Sequence, residues 1–161
     1  MNELFLEDVQ IKAVMAPVDM NTAAITGARI SLAKAESCAV VFSMGTSTAA
    51  IAQFTLMQHN AASAGTSKVL AVSGPYFVKA GSATAFTKVE PTVAASLYDL
   101  STTFAADGGL VVFEISGEEL DVNSNFTHFS VDIADSTAAK LISGIYVLTG
   151  LKYEPSYDVS I

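Results

Sequence analysis

The sequence predicts a mainly β chain, a single-domain β-sandwich or β-barrel-like fold with an extended N-terminal arm and little helix. Three observations predict it. Thr127, Phe129, Val131 and Ile133 fall on one side of an extended chain and His128, Ser130 and Asp132 on the other, the period of two of a sheet with one wet face. Residues 38–43 and 110–115 are short runs of β-branched and aromatic residues, the composition strands favour. Turn signals separate such runs at intervals of about ten residues, as in sandwiches and barrels.

Taken in order, residues 1–36 are expected to form the arm and a first strand, and residues 37–161 a β-rich core domain. Residues 7–14 alternate as an extended segment that Ala16-Pro17-Val18-Asp19 breaks. An edge strand packed on its own domain fits the same residues as well as a free arm. Residues 21–27 form a link, and residues 29–33 alternate again. The run 38–43 reads as a central strand buried on both faces, closed by Gly45. Residues 50–59 read as a long strand with Ala52, Phe54 and Leu56 on one face and Gln53, Thr55 and His59 on the other. The small, polar stretch 60–67 is expected to be a flexible loop before a returning strand at 68–72. Residues 76–79 and 85–89 flank a second hairpin turn. Val93, Leu97, Leu100 and Phe104 fit one helical face, but Ser, Thr and Asp dominate the rest, so the stretch is ambiguous and at most a short helix is expected there. Strands follow at 110–115, 127–133 and 145–149, with a helical turn expected over 136–141 and a tail from Gly150 that carries Tyr153 and Tyr157.

Length and charge narrow the function classes. With 161 residues the chain fits one domain with one core. Hydrophobic residues make up 51% of it, much of that Ala, and no run approaches the ~18 apolar residues of a membrane helix. The acidic N-terminus, with no basic region, does not read as a signal peptide. Charged residues are 15%, against about a quarter on average, a composition that suits a protein packed against neighbours. Residues 1–89 hold six Lys/Arg and five Asp/Glu, while residues 90–161 hold two Lys and eleven Asp/Glu. Such an acidic half repels phosphates, so a nucleic-acid partner is not expected. Cys38, the one cysteine, permits no internal disulfide and lies in an apolar run, where a buried thiol is expected.

Candidate chemistry is sparse. Asp121, Asn123 and Asn125 match the first oxygen ligands of a calcium loop, with Asp132 at the twelfth position. Phe126 stands where such loops need Gly, and the chain runs on as a strand, so an Asx-rich turn is favoured over an ion site. His59 and His128, the two histidines, have no zinc-type spacing and are expected at a surface or interface. Glu118, Glu119 and Asp121 read as a solvated turn rather than paired acid–base carboxylates. No nucleophile motif occurs, Gly45-Thr46-Ser47-Thr48 lacks the Gly-Lys of a phosphate loop, and Asn125-Phe126-Thr127 is a sequon by pattern alone. No catalytic, cofactor-binding or metal-binding residue is therefore assigned.

Ala39-Val40-Val41-Phe42 with Gly45, the stretch from Phe54 through His59-Asn60-Ala61-Ala62 into Gly65-Thr66-Ser67-Lys68, Glu119-Leu120-Asp121-Val122 with Phe126, and Ile145-Tyr146-Val147-Leu148 with Lys152-Tyr153 carry a likeness. Over residues 38–153 the chain resembles the head decoration, or cement, proteins of tailed bacteriophages. The resemblance implies a β-rich, non-enzymatic virion protein that assembles in threes on the capsid exterior, with the major capsid protein and its own copies as partners, no nucleic-acid or membrane partner, and synthesis in a bacterial cytoplasm. It transfers no catalytic residue and no cofactor. Residues 4–14 and the loop 60–67 are the expected contact segments. A tail-tube or head–tail connector subunit fits the same composition. A carbohydrate-binding sandwich fits less well, because no Trp supplies an aromatic platform.

Overall fold

Alternating burial along the longest strands sets the architecture. The computed structural model describes residues 8–47, 52–104 and 106–151. Its strands are β1 (Gln10–Asp19), β2 (Ile25–Thr26), β3 (Ile30–Ser31), β4 (Ser37–Met44), β5 (Gln53–His59), β6 (Ser67–Val69), β7 (Tyr76–Ala80), β8 (Thr87–Val89), β9 (Leu97–Asp99), β10 (Gly109–Ser116), β11 (His128–Ile133) and β12 (Leu141–Thr149), with one helical turn, α1 (Ser101–Phe104). Two antiparallel sheets result. Sheet A has the order β1-β12-β4-β10-β7-β8, and sheet B the order β2-β11-β5-β6, with β3 also on β11 and β9 also on β5.

The sheets close on one apolar core, as the mainly β sandwich reading requires. Val40, Phe42, Val111, Phe113, Tyr146 and Leu148 come inward from sheet A, and Phe54, Leu56, Phe129, Val131 and Ile133 from sheet B. Aromatic contacts stitch the two layers: Phe42 to Phe54 at 5.1 Å, Phe54 to Phe113 at 5.6 Å and Phe129 to Tyr146 at 6.1 Å between ring centroids. Val14, Met20, Ile30, Leu32 and Ala35 belong to this same core, so the described residues before Ser37 pack against the strands that follow. Gly144 on β12 has no side chain because Phe42 occupies the space; a Cβ there would stand 2.5 Å from its ring.

Several local expectations give way to tertiary context. β1 runs through Pro17 to Asp19, since an edge strand tolerates a residue with no N–H and two register irregularities, at Ala13/Met15 and Met15/Val18, absorb the mismatch. The part of the expected arm from Gln10 onward is therefore the edge of sheet A, and residues 1–7 lie outside the described residues. β4 is buried on one face only: Cys38, Val40 and Phe42 point inward, while Ala39 and Val41 are partly exposed and Ser43 is open to solvent. The helical face expected at residues 93–104 divides. Leu97–Asp99 pairs with β5, and α1 follows because Asp99 Oδ1 accepts the Ser101 N–H at 3.0 Å. No helical turn forms at residues 136–141. Asp135 Oδ1 accepts the Thr137 N–H at 2.8 Å with Thr137 at φ 59°, an Asx turn that delivers the chain into β12. The expected tail from residue 152 and the start of the 50–59 strand lie outside the described residues.

Candidate functional site

Cross-strand register places a polar cluster on the outer face of sheet B. His59 lies opposite His128 and Ser67, and Ser130 opposite Met57. His59 Nδ1 lies 2.7 Å from Ser67 Oγ, and its Nε2 lies 2.8 Å from Ser130 Oγ. Arg29, between β2 and β3, covers this face: one guanidinium nitrogen donates to the carbonyls of Ala61 at 3.0 Å and Ala64 at 2.5 Å, and the other to Ser67 Oγ at 3.2 Å. The loop 60–66 closes on itself as well, with Asn60 Oδ1 accepting the Thr66 N–H at 2.8 Å. Gly65, at φ 67°, leaves the room that this oxygen fills. The stretch expected to be flexible is thus tied down, and the expected wet face is largely closed, with Ser130 at 0% exposure and His59 at 3%.

A serine–histidine pair invites comparison with a nucleophile and its base, but its environment opposes that chemistry. Ser130 reaches no solvent, and the second ring nitrogen of His59 meets a hydroxyl rather than an orienting carboxylate. Burial, then the Arg29 charge, then His128 push the His59 pKa down to about 4, so the ring is neutral and weakly basic. Burial and Arg29 lower His128 too. Asp132, half-buried on the same face, is held above the usual carboxylate range by burial, while the Gly27 N–H and Arg29 act against the rise. Its Oδ1 is buried without a hydrogen-bond partner among the described residues. The expectation that His59 sits at a surface is corrected: sequence reasoning saw its period but missed Arg29, which lies 30 residues earlier and covers it.

The calcium pattern is not brought together. Asp121 pairs with Lys68 Nζ at 2.5 Å, and its backbone N–H donates to Gln58 Oε1 at 2.9 Å. Lys68 also stands 4.3 Å above the Phe126 ring. Asn123 lies within a 3-10 turn, Val122–Ser124, Asn125 closes that turn at φ 63°, and Asp132 sits away on β11. Among the described residues no three His, Cys, Asp or Glu are grouped to hold a metal ion. Glu118 and Glu119 occupy a second 3-10 turn, Gly117–Glu119, as a capping box: Ser116 Oγ accepts the Glu118 N–H, and Glu119 Oε2 accepts the Ser116 N–H at 2.8 Å. Cys38 is buried, and desolvation pushes its thiol up to about 12, far from a reactive thiolate. Lys140, 1% exposed, donates from Nζ to the carbonyls of Phe104 and Asp107, fastening β12 to the chain before β10.

The outer face of sheet A differs in kind. Ala13, Ile145, Val41, Val112 and Phe77 lie side by side across β1, β12, β4, β10 and β7, an uncharged row five strands wide. Ile11, Val147 and Ala39 extend it on one side and Leu110 on the other. Ile11 is 45%, Ile145 41% and Leu141 62% exposed, and nothing in the described chain covers them. Sequence reasoning sensed this surface only as the doubly apolar run 38–43. No helix among the described residues is long and apolar enough to cross a membrane.

No protein-family model matches the chain, and no curated protein matches it. Among solved structures, the crystal structure of SPBc2 prophage-derived protein YomS is similar at 14% identity and a TM-score of 0.44, covering 87% of this chain and 93% of that one.

Proposed function

We propose that this chain is a non-enzymatic structural protein of a tailed-phage virion, a head decoration or cement protein that binds the assembled capsid shell from outside and stabilises it. The observation that carries the reading is the apolar face of sheet A, which nothing among the described residues covers. A broad, flat, nearly uncharged sheet face is costly in water and gains by association, whereas a ligand site would be concave with convergent polar groups. The sequence resemblance over residues 38–153 supports the phage setting and supplies the partners: the major capsid protein and, once on the shell, further copies of this chain in threes. The excess of acidic residues after residue 90 disfavours a nucleic-acid partner.

Binding that favours only the assembled shell shifts the assembly equilibrium by mass action, which is what cementing requires. The experiment is to titrate the purified chain onto shells built from the major capsid protein of the same genome but lacking this chain. Saturable binding with a higher shell-disruption temperature is expected; shells left bare at saturating protein would overturn the reading. A hexameric ring in solution would move it to the tail tube or connector.

A further inference from the structure

Two charges without a partner stand on opposite sides of the apolar row of sheet A. Glu114 lies two residues beyond Val112 on β10, and Lys79 lies on β7 opposite Leu110, two residues before Val112. At ~3.4 Å per residue they sit ~7 Å to either side of the row, too far apart to pair within one chain. Among the described residues neither has an ion-pair partner, whereas Lys88, at the β8 end of the row, is held by Glu90 at 2.6 Å.

We infer that a second copy of this chain packs against this face, related by a two-fold axis that lies along the row Ala13, Ile145, Val41, Val112 and Phe77. Such an axis turns the Glu114 side of one copy onto the Leu110 side of the other. Each Glu114 then faces its partner's Leu110 across the ~10 Å between packed sheets, offset by one strand spacing, ~4.8 Å, from Lys79 of the partner subunit, a span that the two long side chains bridge. Two symmetric ion pairs bracket a row stacked on itself, a self-complementary arrangement of the kind a two-fold interface demands.

The edges of sheet A point the same way. The Val14 carbonyl is already taken by the Ala28 N–H at 2.9 Å, and β1 is bulged and holds Pro17. β8 has three residues and presents Lys88. Strand addition is thereby discouraged at both edges, which leaves the face as the surface for a partner. Five strands by three rows span ~20 Å by ~14 Å, about 280 Å² per copy and below the standard size of specific interfaces, so the pair is weak and reversible.

This pairing does not rest on the capsid reading: it describes the free chain, whose weak pairing over the same face gives way when a shell binds there, and its test uses no shells. Sedimentation of the purified full chain from ~1 µM to ~1 mM should show monomer passing to dimer. Ile145→Glu, at an exposed position on the row, is expected to weaken dimerisation at least about tenfold while leaving the melting temperature nearly unchanged. Glu114→Lys should weaken it, and Glu114→Lys combined with Lys79→Glu should restore it. A monomer at every concentration, a trimer, a dimer indifferent to Ile145→Glu, or failure of the charge exchange to restore pairing would each overturn the inference. A trimer would do so while leaving the capsid reading in place.

Discussion

Arg29 decides the character of one face of this molecule. Its guanidinium bonds the 60–67 loop and shares the Ser67 hydroxyl with His59, and so ties a polar stripe into a closed cluster. The predicted consequence is a pH dependence of stability. His59 titrates near 4 when folded against an ordinary value of ~6.5, so the unfolded chain binds more protons between those values. Stability is full above about pH 6.5 and declines as pH falls toward about 4. His128, lowered by the same causes, adds to the decline, and Asp132, raised by burial, opposes it near the acid end. Melting temperatures across this window should fall for the native chain and fall much less for His59→Gln; equal slopes would contradict the assignment. Lys140→Met removes the donor from two carbonyls, and a loss of about 1–3 kcal/mol in denaturant unfolding is expected. None of these pairings was legible in the sequence. Ser130 lies 71 residues from His59, and no local pattern marks Arg29 as its cover.

β4 shows at the scale of an element what the sequence could and could not say. Its composition announces a central strand, and it does lie between β12 and β10 with full register on both sides. The same composition suggested burial on both faces, because Ala39 and Val41 are apolar too. The isolated chain leaves those residues on the outer face of sheet A. The two faces should answer mutation differently. Phe42→Ala empties a site at 0% exposure against Phe54 and should cost about 3–5 kcal/mol. Val41→Thr, on the open face, should stay within about 0.5 kcal/mol of the native chain. Chemical denaturation compares the two directly, and a large loss from Val41→Thr would mean that the face is covered. β11 was legible by its period of two, β10 by its β-branched and aromatic composition, and β7 as one arm of a hairpin. The continuation of β1 past Pro17 was not, because an edge position that spares its missing N–H is a property of the sheet.

For the whole molecule, the mainly β sandwich was legible while its outer surfaces were not, since period alone does not say which faces meet. The described chain closes its polar cluster on sheet B and leaves an apolar face open on sheet A, a distribution that favours association over chemistry. Cementing adds a stricter requirement than adhesion, because it demands that the chain distinguish a finished shell from the subunits that build it. Calorimetric titration of the purified chain into two samples of the same major capsid protein, one assembled into expanded shells and one unassembled, separates the two. Saturable binding to shells is expected, with at least about tenfold weaker binding to unassembled subunits. Equal binding to both, or binding to neither, would contradict cementing.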